Sequence, residues 1–229
     1  MGTNKHIFLS YLLSEELSGY GNGKRIEIIQ TRNIANGDAS NNSQIVLPTH
    51  FGTHIDFSYH FDNIGKTIST YQASDFIFDK IGFVDISSLK PTNYLISVVD
   101  LENFINQPPY NKNAELLIIK TGFSYNRGKS EYWESNWGFD LGTASLIRKY
   151  FPSIKAVAFD LISLNSYKQR EIGRKAHKEF LIKEGILIIE DVDLRSISRN
   201  TNFKKVMVIP LRFDNAEGAP VTIIGEIYD

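Results

Sequence analysis

The chain has 229 residues, of which 42% are hydrophobic, 22% charged and 12% aromatic, and this composition excludes a disordered tail or a fibrous protein. Lys and Arg number 25 and Asp and Glu number 26, so the chain lacks the basic excess of proteins that bind nucleic acid or anionic membranes. The absence of cysteine excludes disulfides, thiolate metal sites and cysteine nucleophiles.

The predicted elements alternate many strands with fewer helices. Short apolar runs rich in Ile and Val predict strands over residues 25–30, 43–46, 82–86, 94–99, 115–121, 154–159, 185–190, 205–212 and 221–227. Helical patterns cover residues 73–80, 101–106, 141–150 and 169–183. Clusters of turn residues predict loops over 18–24, 33–43, 107–112 and 127–137.

One mixed α/β domain over residues 1–229 is the expected organisation, because no loop is long enough for a domain linker and no repeat recurs. No apolar stretch approaches the roughly 18 residues of a membrane span. The first residues lack the apolar run of a secretory signal. The sequence therefore predicts a cytoplasmic protein that binds neither membranes nor nucleic acid.

The segment LPTHFGTHIDFSYHF, residues 47–61, carries the most informative chemistry. Three of the five histidines, His50, His54 and His60, lie within it together with Asp56. At a period of two these four share one parity, and the other parity is mostly apolar: Phe51, Thr53, Ile55, Phe57, Tyr59 and Phe61. The pattern indicates a metal or acid/base face opposite a core face, and the alternative is the solvated face of a half-buried strand.

Chain geometry decides whether these side chains can share one ion. A straight strand would hold the Cα atoms of His50 and Asp56 about 20 Å apart, whereas metal–ligand bonds are about 2 Å long. Either the chain bends or two ions are bound. Gly52 is the expected bend, because glycine tolerates backbone angles that other residues resist, and a turn there brings His50 towards His54.

Further ligands must come from elsewhere, since a catalytic site usually has three protein ligands and an open position. Glu190 ends an apolar strand, and a buried carboxylate is costly unless it is paired or bound to a cation. His177 lies on the predicted helix 169–183. The alternatives are a strand end that reaches solvent for Glu190 and a surface position for His177.

The pattern His50-x-Gly52-Thr53-His54-x-Asp56-x-x-x-His60 resembles the signature of the cyclase superfamily of metal-dependent hydrolases, which includes bacterial kynurenine formamidases and isatin hydrolases. Later segments resemble family landmarks in the same order, from about Ile28 to the C-terminus: Lys120-Thr121-Gly122, Asp160 with Ser163, His177 to Glu190, and Gly218-Ala-Pro220-Val221. Ser58 stands where the motif usually has proline, and the spacing from His177 to Glu190 departs by a residue from the commonest pattern.

The resemblance implies a swivelling β/β/α-type fold with a central barrel-like mixed sheet flanked by helices, commonly a homodimer. It implies one or two divalent ions, usually zinc or manganese, and His60 as the catalytic acid/base. The metal ligands that it implies are His50, His54, Asp56, His177 and Glu190. Asp56 is then able to bridge two ions.

The expected function is a metal-dependent hydrolase that cleaves a C–N bond in a small molecule, such as the arylformamide N-formylkynurenine. His60 is the expected proton shuttle because His50 and His54 are committed to metal. Substrate-binding residues stay unassigned, although five aromatic side chains are candidates for a pocket wall: Phe57, Tyr59, Phe61, Tyr132 and Trp133. Two alternatives stay open, namely a hydrolase of cyclic amides, lactones or esters, and a non-catalytic metal or small-molecule binding module.

Overall fold

The computed structural model describes residues 4–17, 19–23, 25–107 and 111–228. The strands within these residues are β1 (Asn4–Phe8), β2 (Glu27–Arg32), β3 (Asn42–Val46), β4 (His54–Asp56), β5 (Ile77–Phe78), β6 (Ile81–Asp85), β7 (Leu95–Ile96), β8 (Leu116–Lys120), β9 (Gly138–Phe139), β10 (Ala156–Phe159), β11 (Leu187–Glu190), β12 (Asn202–Pro210) and β13 (Gly218–Tyr228). The α-helices are α1 (Val98–Ile105), α2 (Glu131–Glu134), α3 (Thr143–Tyr150) and α4 (Arg170–Lys178).

The main sheet is mixed and runs in the order β5-β12-β13-β4-β11-β10-β8-β6, with β1 also paired to β13. Strands β6, β8, β10 and β11 are parallel neighbours, whereas β4 is antiparallel to both β11 and β13. β12, near one end of the sheet, approaches β6 at the other end, so the sheet nearly closes into a barrel. This architecture confirms the expected α/β class with a barrel-like mixed sheet.

Both faces of the parallel strands are buried, as their continuous apolar runs require. Alternate residues of β8, such as Leu117 and Ile119, pack with α1, α3 and α4 in an outer core. Their neighbours Leu116 and Ile118 pack inside the curved sheet with residues of β12 and β13. The sheet is therefore a rigid wall between two cores, and side chains at its strand ends are held in place from both sides.

The predicted strands over 25–30, 43–46, 82–86, 115–121, 154–159, 185–190, 205–212 and 221–227 all correspond to observed strands, with ends shifted by a few residues. The prediction over 94–99 is half wrong. β7 covers only Leu95–Ile96, because Ser97 accepts a hydrogen bond from the backbone N–H of Asp100 and so starts α1. Parts of the predicted loops 18–24 and 107–112 lie outside the described residues.

The helix predicted over residues 73–80 is wrong. Its start is a 3₁₀ turn, Ala73–Phe76, in which Gln72 and Asp75 exchange capping hydrogen bonds. The chain then enters β5, where Ile77 and Phe78 pair with β12 and Phe78 is buried. Pairing with a strand more than 120 residues later overrides the local helical pattern, and this long-range cause is invisible in a short window.

Candidate metal centre

Gly52 bends the chain between the first two histidines of the motif. Its φ of 67° lies in the left-handed region, and a Cβ there would lie 2.3 Å from the side chain of Leu13. The bend brings the imidazole rings of His50 and His54 to a centroid distance of 5.1 Å, and Nδ1 of His50 lies 2.9 Å from Oδ1 of Asp56. The turn predicted at Gly52 therefore replaces the straight strand that would have separated these ligands.

Strand register places three of the predicted residues on one face of the sheet. In β4, His54 lies opposite Glu190 of β11, and Asp56 lies opposite Ile188. Ile188 belongs to the outer core, so this face is the one that the helices cover. All three polar side chains are at least 95% buried. A buried strand with two ionisable residues is stable only if these residues find partners of opposite charge or a cation.

His177 reaches the same point from helix α4, which lies across this face. Its Nε2 atom lies 3.5 Å from Oε1 of Glu190 and 3.8 Å from Oδ2 of Asp56. On the other side of the two carboxylates, Nε2 of His54 lies 3.2 Å from Oε2 of Glu190 and 3.5 Å from Oδ1 of Asp56. Two buried imidazoles and two buried carboxylates thus form a closed ring of contacts.

A π-helical turn, Glu179–Lys183, follows α4 and separates His177 from β11. The N–H of Glu184 donates to the carbonyl of Glu179, five residues earlier. Because such a turn holds one more residue than an α-helical turn, it takes up a one-residue change in spacing. The departure of the spacing from His177 to Glu190 is therefore compatible with the convergence of both side chains.

His60 lies at the mouth of this cluster, in a 3₁₀ turn, Ser58–His60, directly after β4. Its ring centroid is 4.1 Å from that of His50 and 6.4 Å from that of His177. It is the most exposed of the six predicted site residues. The structure thus brings all six to one cavity of about 270 Å³, with His60 on the solvent side.

Burial and neighbouring charges act in opposite directions on the ionisable groups. Burial lowers the pKa of His54, but its hydrogen bond with Glu190 and the charge of Asp56 outweigh this and raise that pKa to about 9. A similar balance raises the pKa of His177. Burial alone would raise the pKa of Asp56, yet the surrounding imidazoles outweigh this effect and hold that pKa well below the usual range. For His60, burial prevails and lowers the pKa, which favours the neutral base.

The hydrogen bonds of the imidazoles test whether a cation fits here. Nδ1 of His54 donates to the carbonyl of Gly52 and Nδ1 of His177 donates to that of Gly173, both at 2.8 Å. In neutral imidazoles both Nε2 atoms then carry lone pairs that face carboxylate oxygens. Two hydrogen-bond acceptors that face each other need a proton or a metal ion between them. A histidine that binds metal typically donates its other ring N–H to a backbone carbonyl, a carboxylate or water, as both of these histidines do. The donor set therefore fits a divalent cation.

Asp56 belongs to two groups of atoms that are compact enough to hold an ion. One group is His54, Asp56 and Glu190, and the other is His50, Asp56 and His60. Within each group the candidate ligand atoms lie within 4.8 Å of one another. Nε2 of His50 is buried and has no hydrogen-bond partner among the described residues, so it is also free to act as a ligand.

Sequence reasoning missed the contacts that Glu217 and Gly218 make with His50. Oε1 of Glu217 lies 3.4 Å from Nε2 of His50 and accepts a hydrogen bond from Thr49. The next residue, Gly218, leaves room for the imidazole, because a Cβ there would lie 2.4 Å from Cε1 of His50. The only feature of the sequence that pointed to Glu217 was its position directly before the landmark Gly218-Ala-Pro220.

A buried ion pair supports the end of β11. Arg127 donates two hydrogen bonds to the carboxylate of Asp191, at 2.6 and 3.0 Å, and the hydroxyl of Tyr132 donates to the same carboxylate. Asp191 has a positive φ of 55°, which is strained for a residue with a side chain. Asp191 directly follows Glu190, whose own carboxylate accepts a hydrogen bond from the N–H of Leu164 at 2.6 Å, so the end of β11 is held at both side chains.

The aromatic candidates for a pocket wall divide clearly. Phe61 lines the cavity, and its ring lies 4.8 Å from that of His177. Phe57 and Tyr132 are core residues, and Tyr59 is exposed. Trp133 packs against the outer core and does not line the cavity.

Among the described residues, no helix is both long and apolar enough to cross a membrane.

Fold and site together define an α/β protein in which a barrel-like sheet carries a buried cluster of imidazoles and carboxylates whose donor atoms fit a divalent cation. The family model described as putative cyclase matches residues 7–166, and the chain belongs to this cyclase family, as its motif predicted.

A kynurenine formamidase from Bacillus mycoides (strain KBAB4) is 24% identical to this chain over 225 residues, which are 98% of each protein. The solved structure of isatin hydrolase A from Labrenzia aggregata has a TM-score of 0.80 at 15% identity and covers 99% of this chain and 94% of that one. A potential metal-dependent hydrolase with cyclase activity has a TM-score of 0.74 at 18% identity and covers 99% and 100%. Both solved structures have the same fold as this chain.

Proposed function

We propose that this single-domain chain is a metal-dependent hydrolase that cleaves the C–N bond of an arylformamide, such as N-formylkynurenine. The observation that carries the proposal is the pair of Nε2 atoms, on His54 and His177, that face the carboxylates of Asp56 and Glu190 beside the imidazole of His60 in the same cavity. The similarity to a kynurenine formamidase over 98% of both chains supports the substrate class.

Five side chains would hold the cation or cations: His50, His54, Asp56, His177 and Glu190. Imidazole and carboxylate ligands suit zinc and manganese, and the two groups of candidate ligand atoms, which share Asp56, would offer places for one ion or two. When bound, such an ion lowers the pKa of a water molecule towards about 7 and polarises the carbonyl of the substrate.

His60 moves the proton in this mechanism. Its lowered pKa keeps the imidazole neutral at pH 7, so a ring nitrogen can accept the proton of the attacking water. The new C–O bond forms at the formyl carbon, the C–N bond breaks, and His60 returns the proton to the leaving aryl nitrogen. The products are formate and the free arylamine. Phe61 lines the cavity beside His60 and offers an apolar surface to the aromatic ring.

Hydrolysis of N-formyl-L-kynurenine tests this proposal. The protein is stripped of metal with a chelator, reloaded separately with zinc and manganese, and assayed by absorbance. We expect turnover only after reloading, because the Nε2 atoms and carboxylates need the cation to form a working site. A protein that binds metal without hydrolysing this substrate contradicts the arylformamide and redirects the search to cyclic amides and lactones. A protein that binds no metal contradicts the site itself.

We also propose that two copies of the chain pair through the hairpin β2–β3. Every residue of these two strands is exposed. The exposed side chains include Ile28, Ile29, Ile45 and Val46. Ile28 and Ile45 are cross-strand partners on one face of the hairpin, whereas Ile29 and Val46 lie on the other face. A two-stranded hairpin with an uncovered aliphatic face is marginally stable alone. A second copy supplies the missing apolar cover.

The double variant I28D/I45D tests the pairing of copies, because Ile28 and Ile45 are cross-strand partners. Two carboxylates in an apolar interface are costly to bury, so we expect the mass measured by light scattering to fall from that of a dimer to that of a monomer. Ile64→Asp is the control, because Ile64 is 93% exposed and lies outside the hairpin. A wild-type protein that is already monomeric contradicts the proposal.

A further inference from the structure

The cavity that contains the metal ligands has one cationic side chain at its wall. Arg174 precedes His177 by three residues on α4, so both side chains lie on the same side of the helix. Among the described residues that line the cavity, Arg174 is the only Lys or Arg. It is exposed, and within the described part of the chain its guanidinium makes no ion pair or hydrogen bond.

The neighbouring arginines are already engaged. Arg170, one turn earlier on α4, stacks on the ring of Tyr167 at 4.0 Å. Arg127 is held by the carboxylate of Asp191. Arg174 therefore differs from both in that its charge is unused inside the folded chain. An unpaired guanidinium at the wall of an active-site cavity is a donor for a planar anion, which it binds through two parallel hydrogen bonds.

Tyr20 supplies a second unused donor at the same cavity. Its hydroxyl is buried next to the guanidinium of Arg170, which can only donate to the hydroxyl oxygen, so the hydroxyl hydrogen has no acceptor among the described residues. Burial raises the pKa of Tyr20 to about 12, so the hydroxyl keeps its proton at neutral pH. Leaving a buried donor without an acceptor costs free energy, and a ligand oxygen would recover that cost. The ring is fixed edge-on against Tyr167, so the donor is positioned before any ligand arrives.

We propose that Arg174 and Tyr20 bind a carboxylate group of the substrate and so select anionic arylamides over neutral ones. This inference rests on the proposed hydrolase function and adds the substrate class of the same site. One guanidinium and one neutral hydroxyl match a monoanion better than a phosphate dianion. A cavity of about 270 Å³ holds one aromatic ring and a short side chain, with the amide at the histidines and the carboxylate at Arg174.

Selectivity between two substrates tests the proposal. N-formylkynurenine carries an α-amino acid side chain with a carboxylate, whereas formanilide carries none. We expect Arg174→Gln to lower the ratio of kcat/KM for N-formylkynurenine over formanilide by about 10- to 100-fold, since hydrogen bonds to charged groups have this magnitude. We expect this change to appear as a higher KM for N-formylkynurenine rather than as a lower kcat. Tyr20→Phe should lower the same ratio by a smaller factor of about 3 to 10.

Lys178→Gln is the matched control, because Lys178 is an exposed cation on the same helix and borders only an outer groove, whereas Arg174 also lines the cavity. We expect this variant to keep the wild-type ratio. A ratio that falls equally in both variants would indicate a general effect of surface charge and overturn the proposal. A ratio that is unchanged in Arg174→Gln overturns it as well.

A binding measurement separates this inference from the proposed function. Calorimetry compares L-kynurenine, which keeps the carboxylate, with 2-aminoacetophenone, which lacks it, on the metal-loaded protein. We expect Arg174→Gln to weaken the binding of kynurenine by about 10- to 100-fold and to reduce the preference over the ketone. If the wild-type protein hydrolyses neither amide, the proposed function fails, while this preference still supports the carboxylate site. If no preference exists, the carboxylate site fails, whatever the hydrolysis assay gives.

Discussion

Asp56→Asn is expected to remove metal binding, with an affinity loss of more than about 100-fold, because even residues that only orient metal ligands contribute 10- to 100-fold. Asp56 is the common member of both ligand groups, and its two oxygens face His50 and His54 on one side and His177 on the other. Asparagine has nearly the same shape but loses the negative charge and turns one acceptor into a donor that faces imidazole Nε2 atoms. Metal content after dialysis and calorimetric titration with zinc and manganese measure the loss.

Asp62→Asn is the matched control for this change. Asp62 lies six residues later and accepts a hydrogen bond from the N–H of Ile64, away from the ligand groups. We expect this variant to bind metal as the wild-type protein does. The assignment of Asp56 as the shared ligand would be contradicted if Asp56→Asn kept full metal affinity, or if both variants lost it to the same extent.

The strands and the grouping of the first candidate ligands could be predicted because their signals are local. Apolar runs such as 115–121 and 154–159 mark buried parallel strands without any knowledge of their neighbours. The two-residue period of the motif holds only for His54 and Asp56, which lie on β4. His50 reaches the cluster through the bend at Gly52, and His60 through a 3₁₀ turn, so their equal parity in the sequence is not a shared strand face.

The contacts that sequence reasoning missed share a different cause. Glu217 and Gly218 contact His50 only because β13 pairs with β4, and the register of this pairing cannot be predicted from either segment alone. Arg127 and Tyr132 support Glu190 through Asp191, more than 50 residues away. Such contacts depend on the complete tertiary structure. Local patterns therefore predicted the candidate ligands of the motif and the bend at Gly52, whereas the side chains around these candidates could be found only from the fold.

The position of His60 leaves two roles open, proton transfer and metal binding, and a variant of this residue can distinguish them. Its ring stacks beside His50 at 4.1 Å but lies on the solvent side of the cluster. Two roles are compatible with this place: a ligand in the group of His50 and Asp56, or a free base that shuttles the proton. The depressed pKa suits a free base, because a neutral imidazole can accept a proton at pH 7.

His60→Ala is therefore expected to keep the metal content of the wild-type protein and to lose about 10²- to 10⁴-fold in kcat, the range typical of a lost general acid/base. Metal analysis and steady-state kinetics on the same sample measure both quantities. His6→Ala is the control, because His6 is exposed on β1, opposite Glu226 of β13, and does not line the cavity.

Added imidazole sharpens the distinction between the two roles of His60. If His60 is the proton shuttle, free imidazole in solution should restore part of kcat in His60→Ala, because the side chain lies at the open mouth of the cavity and leaves a path for a small base. If the variant instead loses metal in proportion to activity, His60 is a ligand. In that case another group must move the proton, and Glu217 is a candidate, because its half-buried carboxylate lies 3.4 Å from Nε2 of His50.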